Sequence, residues 1–141
     1  MSLPFAEDIN FWMTSKASPD SWIEKAKRLI GSFGGKVTGE YFGSDDSGRA
    51  AYMVTFVLDG DRYKIAWPVL PTRSKNESAA RVQAATLLYH DVKGRCLTAA
   101  ILGARTAFFN YLLLPDGRTA SQASVPELMQ GIPTIFLGDG S

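Results

Sequence analysis

Histidine and cysteine are nearly missing from this 141-residue chain, which has one of each, His90 and Cys96. A single pair cannot supply the ligands of a zinc site within the chain, and no internal disulfide can form. Cys96 lies among apolar residues of a helical pattern, where a buried, inert thiol in a reducing compartment is expected. His90 and Asp91 are neighbours in that pattern. Adjacent helical residues point about 100° apart, so they make no oriented acid and base pair. No phosphate-loop or dinucleotide fingerprint is present, since FGSDDSGR and IGSFGGK have glycines without the required spacing and lysine-serine ending. Asp45 and Asp46 within the first of these are loop residues making local turns. These absences leave no reaction to assign. The expectation is a protein that is not an enzyme and needs no cofactor and no metal.

Two further absences concern location. The opening MSLPFAEDINFW lacks a basic stretch followed by a sustained apolar run, so no secretory signal is expected and a cytoplasmic place is. The segment Leu97 to Leu114 approaches the length of a membrane span, but Arg105 falls at its centre and Asn110 follows. A charge at mid-span costs about 3 kcal/mol on insertion scales, which favours a buried core helix and no membrane partner.

What is present suits one folded domain. With 45% hydrophobic and 21% charged residues, the chain has enough apolar surface to bury a core and is far from the composition of disorder. Its formal net charge of +1 conceals a strong segregation. From Arg62 to Arg118 there are nine Lys and Arg against three Asp and Glu, a local +6, while both flanking stretches are acidic. Such a block can mark a surface that meets a polyanion.

The order of elements follows from periodicity and punctuation. An opening helical piece is expected from Phe5 to Thr14, and a second helix after Ser18 and Pro19, with Trp22, Ala26, Leu29, Ile30 and Phe33 as its buried stripe. Gly34 and Gly35 end it. Three strands follow, about Lys36 to Phe42, Ala51 to Leu58 and Arg62 to Leu70, joined by GSDDSGR and by a tight turn at Asp59 to Asp61. In the third, Tyr63, Ile65, Trp67 and Val69 alternate with Lys64, Ala66 and Pro68, and Trp67 is placed in the core.

Ser74 to Glu77 reads as a capping box opening a long helix. Unbroken to Leu113 this helix would run about 55 Å, so a break is expected between Lys93 and Arg95, beside Gly94. The fold class is therefore α+β, with N-terminal helices, a three-stranded antiparallel meander and a long broken C-terminal helix on the sheet. Residues 1–118 form the domain. Residues 119–141 form a tail, with a short helix at Val125 to Gln130 and an apolar run from Ile132 to Leu137 that docks on the body or on a neighbouring subunit.

The candidate binding residues are Lys64, Arg73, Lys75, Arg81, Lys93 and Arg95. Arg73 and Lys75 stand at a strand-to-helix junction, where exposed backbone donors and the helix dipole suit phosphate. The competing reading is that these are ordinary solvated side chains around helices.

Two family resemblances bear on this. The pair YMVTFVLDGDRYKIAW and SKNESAARVQAATLL resembles the last strands and Ala-rich final helix of double-stranded-RNA-binding domains, without that family's glycine-proline-histidine loop. The span from Lys36 to Arg118, with WPVLP followed by DVKGRCLTAAILGARTAFFNYLLLPDG, is similar to the β-β-β-α core of the single-strand annealing recombinase superfamily of phages and eukaryotes. The second resemblance implies a ring or filament with Arg and Lys lining a groove for single-stranded DNA, matched here by charge and position. The expected function is thus non-enzymatic binding of single-stranded nucleic acid in recombination or annealing by a homo-oligomer. The rival is an assembly protein that forms a homo-oligomer and binds no nucleic acid, and a small-molecule enzyme ranks third.

Overall fold

Alternation of apolar and polar residues through YMVTFVLDGDRYKIAW sends every second side chain to the same side of a pleated strand. The computed structural model describes residues 3–124 and forms two antiparallel strands here, β2 (Ala50–Leu58) and β3 (Asp61–Pro68). Tyr52, Val54, Phe56, Leu58, Tyr63 and Ile65 are buried, and Trp67 packs half-buried beside them. Asp59 and Gly60 both have left-handed backbone angles, φ 50° and 83°. That conformation matches the twist of the strands it joins and sets Leu58 opposite Asp61. β1 (Lys36–Ser44) pairs with the far side of β2, so the sheet order is β1-β2-β3.

The protein is α+β. The core takes side chains from only one face of β2 and β3, and closes that face with α1 (Pro19–Ser32), α2 (Glu77–Leu102) and α3 (Ala104–Phe108). On α1, Ser18 caps the first turn by accepting the Ser21 N–H at 3.2 Å, with Pro19 directly after it. The buried stripe is Ile23, Ala26 and Ile30, with Trp22 and Leu29 half-buried. Phe33, expected inside, is exposed as the C-cap residue, because the helix ends before its side chain can turn inward.

Three expected elements are corrected. The opening piece is no helix but a single 3-10 turn, Ala6–Asp8, followed by turns in which Phe11 and Met13 have φ 70° and 56°. Its carbonyls have a different partner. The buried Gln83 amide donates to Ala6 O at 2.8 Å, Ile9 O at 3.1 Å and Asn10 O at 3.1 Å. The capping box does not form either. Asn76 caps α2 by accepting the Ala79 N–H at 3.1 Å, while Ser74 binds Glu7 through its N–H at 2.9 Å and its hydroxyl at 2.8 Å.

The helix break, expected between Lys93 and Arg95, falls at Gly103, where φ 93° and ψ 154° are open only to glycine. Gly94 stays helical inside α2, its solvent side empty of neighbours. The 26 residues of α2 reach about 39 Å. Burial of Leu88, Val92 and Cys96 beside Gly94 outweighs a glycine penalty of about 1 kcal/mol.

After Gly103 the chain folds back onto the sheet. Phe108 is fully buried, its ring centroid 5.3 Å from Phe56 and 5.7 Å from Tyr63. Leu112 then bridges Tyr63 on the outer edge of β3, and the Leu113 N–H donates to Arg62 O at 2.8 Å. Thr119, Ala120 and Ala123 are buried against the body. The expected helix at Val125 to Gln130 and the run from Ile132 to Leu137 lie outside the described residues. Among those described, no helix is long and apolar enough to cross a membrane.

Candidate nucleic-acid interface

A groove of about 760 Å³ opens where the β1-β2 hairpin ends beside the start of α2. Its basic residues arrive from two loops and a helix. The hairpin loop is built around Asp45, whose Oδ1 accepts the Ser47 N–H at 2.9 Å, the Ser47 hydroxyl at 2.6 Å and the Arg49 N–H at 2.9 Å. The Ser47 hydroxyl, then the Arg49 N–H, hold that carboxyl below its ordinary pKa. Arg49 is thereby fixed on the groove wall. Opposite it, Lys75 has φ 60°, which turns the chain from β3 into α2 and leaves its side chain on the same groove.

Arg81 stands just over one turn into α2. Its guanidinium carbon lies 4.3 Å from the centre of the Phe42 ring, and its Nε donates to the Tyr52 hydroxyl at 3.2 Å. Phe42 itself packs on Tyr52, centroids 4.6 Å apart. One edge of the guanidinium is anchored while the side chain as a whole stays exposed. An arginine stacked on an aromatic face and bonded at Nε is oriented before any ligand arrives. Leu3 and Leu70 supply apolar lining, and Glu77 contributes one negative charge to the wall against the three positive ones.

Of the six residues singled out in sequence, Lys75 and Arg81 meet in this groove. The other four lie elsewhere. Arg73 is turned toward the N-terminal segment, where its guanidinium pairs with the Asp8 carboxylate and lies 4.5 Å from the Phe5 ring centre. Its N–H donates to Glu7 Oε2 at 3.0 Å. Burial alone would raise the Glu7 carboxyl, but the N–H of Ser74, with the Ser74 hydroxyl and the Arg73 N–H, pulls it down to about 2. Arg95 is half-buried and binds Asp91 at 2.9 Å and Ala107 O at 2.8 Å, with Tyr111 beneath its guanidinium. It fastens α3 to α2. Lys93 is exposed on α2, and Lys64 projects from the face of the sheet that the helices leave open.

Arg49 is the groove residue that sequence reasoning missed. It sits in the acidic first part of the chain, outside the basic block, and the sequence signal for it is only its place at the end of a turn-rich hairpin loop. Cys96 is buried without a disulfide partner, and burial pushes its thiol up to about 11. His90 is exposed and stacks on Phe11 at 4.6 Å, in a cluster with Trp22 and Tyr89.

No protein-family model, no curated protein and no solved structure matches this chain.

Proposed function

We propose that this protein is a non-enzymatic binder of single-stranded nucleic acid, of the recombination or annealing type, and that the groove between the β1-β2 hairpin and α2 takes the strand. The observation that carries the reading is the convergence of Arg49, Lys75 and Arg81 on one groove, with Arg81 held in place by Phe42 and Tyr52. Three cations against one carboxylate suit a run of phosphates, and a half-open groove with apolar lining suits an unpaired strand better than a duplex about 20 Å across. Self-association fits the same picture, because the outer edge of β1 has no strand partner among the described residues.

The test is a titration of a labelled single strand, a duplex and an RNA across a salt series. Binding should prefer one strand type and weaken steeply with salt. Replacing Arg49, Lys75 and Arg81 together by Ala should weaken binding more than tenfold and flatten the log-log salt slope by about 2, since each phosphate contact on a single strand contributes about 0.7. Unchanged affinity and slope in the triple variant would remove the groove as the site.

A second reading is an assembly protein that binds no nucleic acid. Its support is the apolar surface at the far end of α2, where Leu97, Ile101, Leu102 and Phe109 are exposed, Ile101 by 82%. A stable oligomer that binds no strand at low salt would favour it.

A further inference from the structure

The open face of the sheet carries a second arrangement. On β2 and β3 the side chains outside the core are Ala51, Met53, Thr55 and Val57, and Arg62, Lys64 and Ala66. β1 adds Lys36 opposite Val57 and Tyr41 opposite Met53. Pairing aligns Lys36, Val57 and Arg62 in one row across the three strands, and places Lys64 beside Thr55 in the next. Arg62 and Lys64 are two residues apart on one strand, about 7 Å. None of Lys36, Arg62 and Lys64 has a salt bridge among the described residues, and the strands turn no carboxylate to this side. Glu40, the acidic residue within β1, pairs opposite the buried Val54 and binds Lys27 of α1 at 2.9 Å.

Tyr41 gives this cationic face its shape. The register slips between Val37 and Gly39, a bulge that puts Gly39 opposite Thr55. A methyl group on Gly39 would sit 2.7 Å from Tyr41 Cε2, 2.7 Å from its hydroxyl oxygen and 2.8 Å from Thr55 Oγ1. The tyrosine ring therefore lies down over the glycine, along the sheet, instead of standing out from it. It remains 55% exposed. An aromatic ring lying flat on a sheet face that the described residues leave uncovered, beside cations without a salt bridge among those residues, is the arrangement that stacks an unpaired base while the cations hold its phosphates.

We infer that this face is a second binding surface for single-stranded nucleic acid, with Tyr41 as the stacking platform and Lys36, Arg62 and Lys64 as the phosphate contacts. The inference rests on the nucleic-acid reading above, but not on the groove: Arg49, Lys75 and Arg81 lie at the hairpin end, on the helix side of the sheet. A second copy of the same face is disfavoured as occupant, because three unpaired positive charges would meet three more. One molecule would then engage a strand at two places, or two strands at once.

The experiment uses the full chain and a labelled oligothymidylate, with circular dichroism on each variant to confirm the fold. Tyr41→Ala should weaken binding about tenfold, Tyr41→Phe should not, and Gly39→Ala, which displaces the ring and alters no charge, should behave like Tyr41→Ala. Replacing Lys36, Arg62 and Lys64 by Ala should flatten the salt slope. Ultraviolet crosslinking followed by peptide mass spectrometry should place the oligonucleotide on Tyr41. If the open-face variants bind as wild type and the groove variant does not, the second surface is wrong and the groove stands. If the open-face variants lose binding and the groove variant keeps it, the inference stands and the groove assignment falls. Wild-type protein that binds no strand at low salt overturns both, and binding of the open face to anionic vesicles in place of the oligonucleotide overturns the choice of ligand.

Discussion

At the scale of single residues, charge is disposed of in two ways. Arg73 and Arg95 belong to the basic block, yet each is committed to an internal carboxylate, Asp8 and Asp91, and to an aromatic ring, Phe5 and Tyr111. Arg81 also lies on a ring, but its partner at Nε is the Tyr52 hydroxyl, and among the described residues it makes no salt bridge. Glu7 shows the reverse case, a carboxylate fixed by N–H groups of the chain segment it faces. Its pKa lies near 2 in the folded protein, against an ordinary 4.5. A carboxyl lowered on folding stabilises the native state above its unfolded pKa, and this contribution is lost as pH falls through the window from about 4.5 to about 2. Urea unfolding at about pH 6 and about pH 3 should show a larger loss for wild type than for Glu7→Gln. Equal losses would mean that Glu7 carries none of the acid sensitivity.

Elements are delimited here by backbone conformations that only some residues accept. The break after α2 depends on Gly103, at φ 93° and ψ 154°, a region costly to any residue with a Cβ. Gly94 has ordinary helical geometry and open space where a Cβ would stand. Opposite effects follow from the same chemical change. Gly103→Ala should destabilise by about 1–3 kcal/mol, whereas Gly94→Ala should stabilise by about 0.5–1 kcal/mol. Denaturant midpoints of the two variants check the pair, and a Gly103→Ala protein as stable as wild type would contradict the strained turn. The return of α3 matters because it delivers Phe108 onto the stacked rings of Phe56 and Tyr63. Phe108→Ala should cost about 3–5 kcal/mol by removing a fully buried ring, measured by the same midpoints.

For the whole molecule, the arrangement of layers decides what is available to a partner. Among the described residues, helices cover one face of a three-stranded sheet and leave the other face, the β1 edge and the hairpin end accessible. Lys36, Arg62 and Lys64 on the open face and Lys75 and Arg81 at the hairpin end make no salt bridge among the described residues, while Lys27 and Arg95 of the helical layer pair with Glu40 and Asp91. A formal charge of +1 is thus compatible with two basic surfaces, because the acidic residues are spent elsewhere: Glu7 and Asp8 on the loop before α2, Glu40 on α1, and Asp61 on Arg105. Long-range association should accordingly be salt-sensitive well beyond what the net charge indicates.

The sequence by itself determined the order of elements and the hairpin, since alternation at period 2, the Asp59-Gly60 turn and the Ser18-Pro19 helix start act through neighbours in the chain. It also located Lys75 and Arg81, which stand close to one helix start. Only the tertiary structure decided the rest. Ser74 looked like a cap because the capping pattern is local, but Glu7, 67 residues away, takes its hydrogen bonds. The opening segment had the spacing of a helix, yet Gln83, up to 77 residues distant, engages its carbonyls. Arg49 and Tyr41 acquire their places, on the groove wall and over Gly39, from a hairpin loop and a bulge that appear only when β1 lies against β2. Local periodicity is set by backbone geometry that each short segment carries with it. Which charge meets which partner is set by contacts between segments far apart in sequence, and no short-range pattern encodes them.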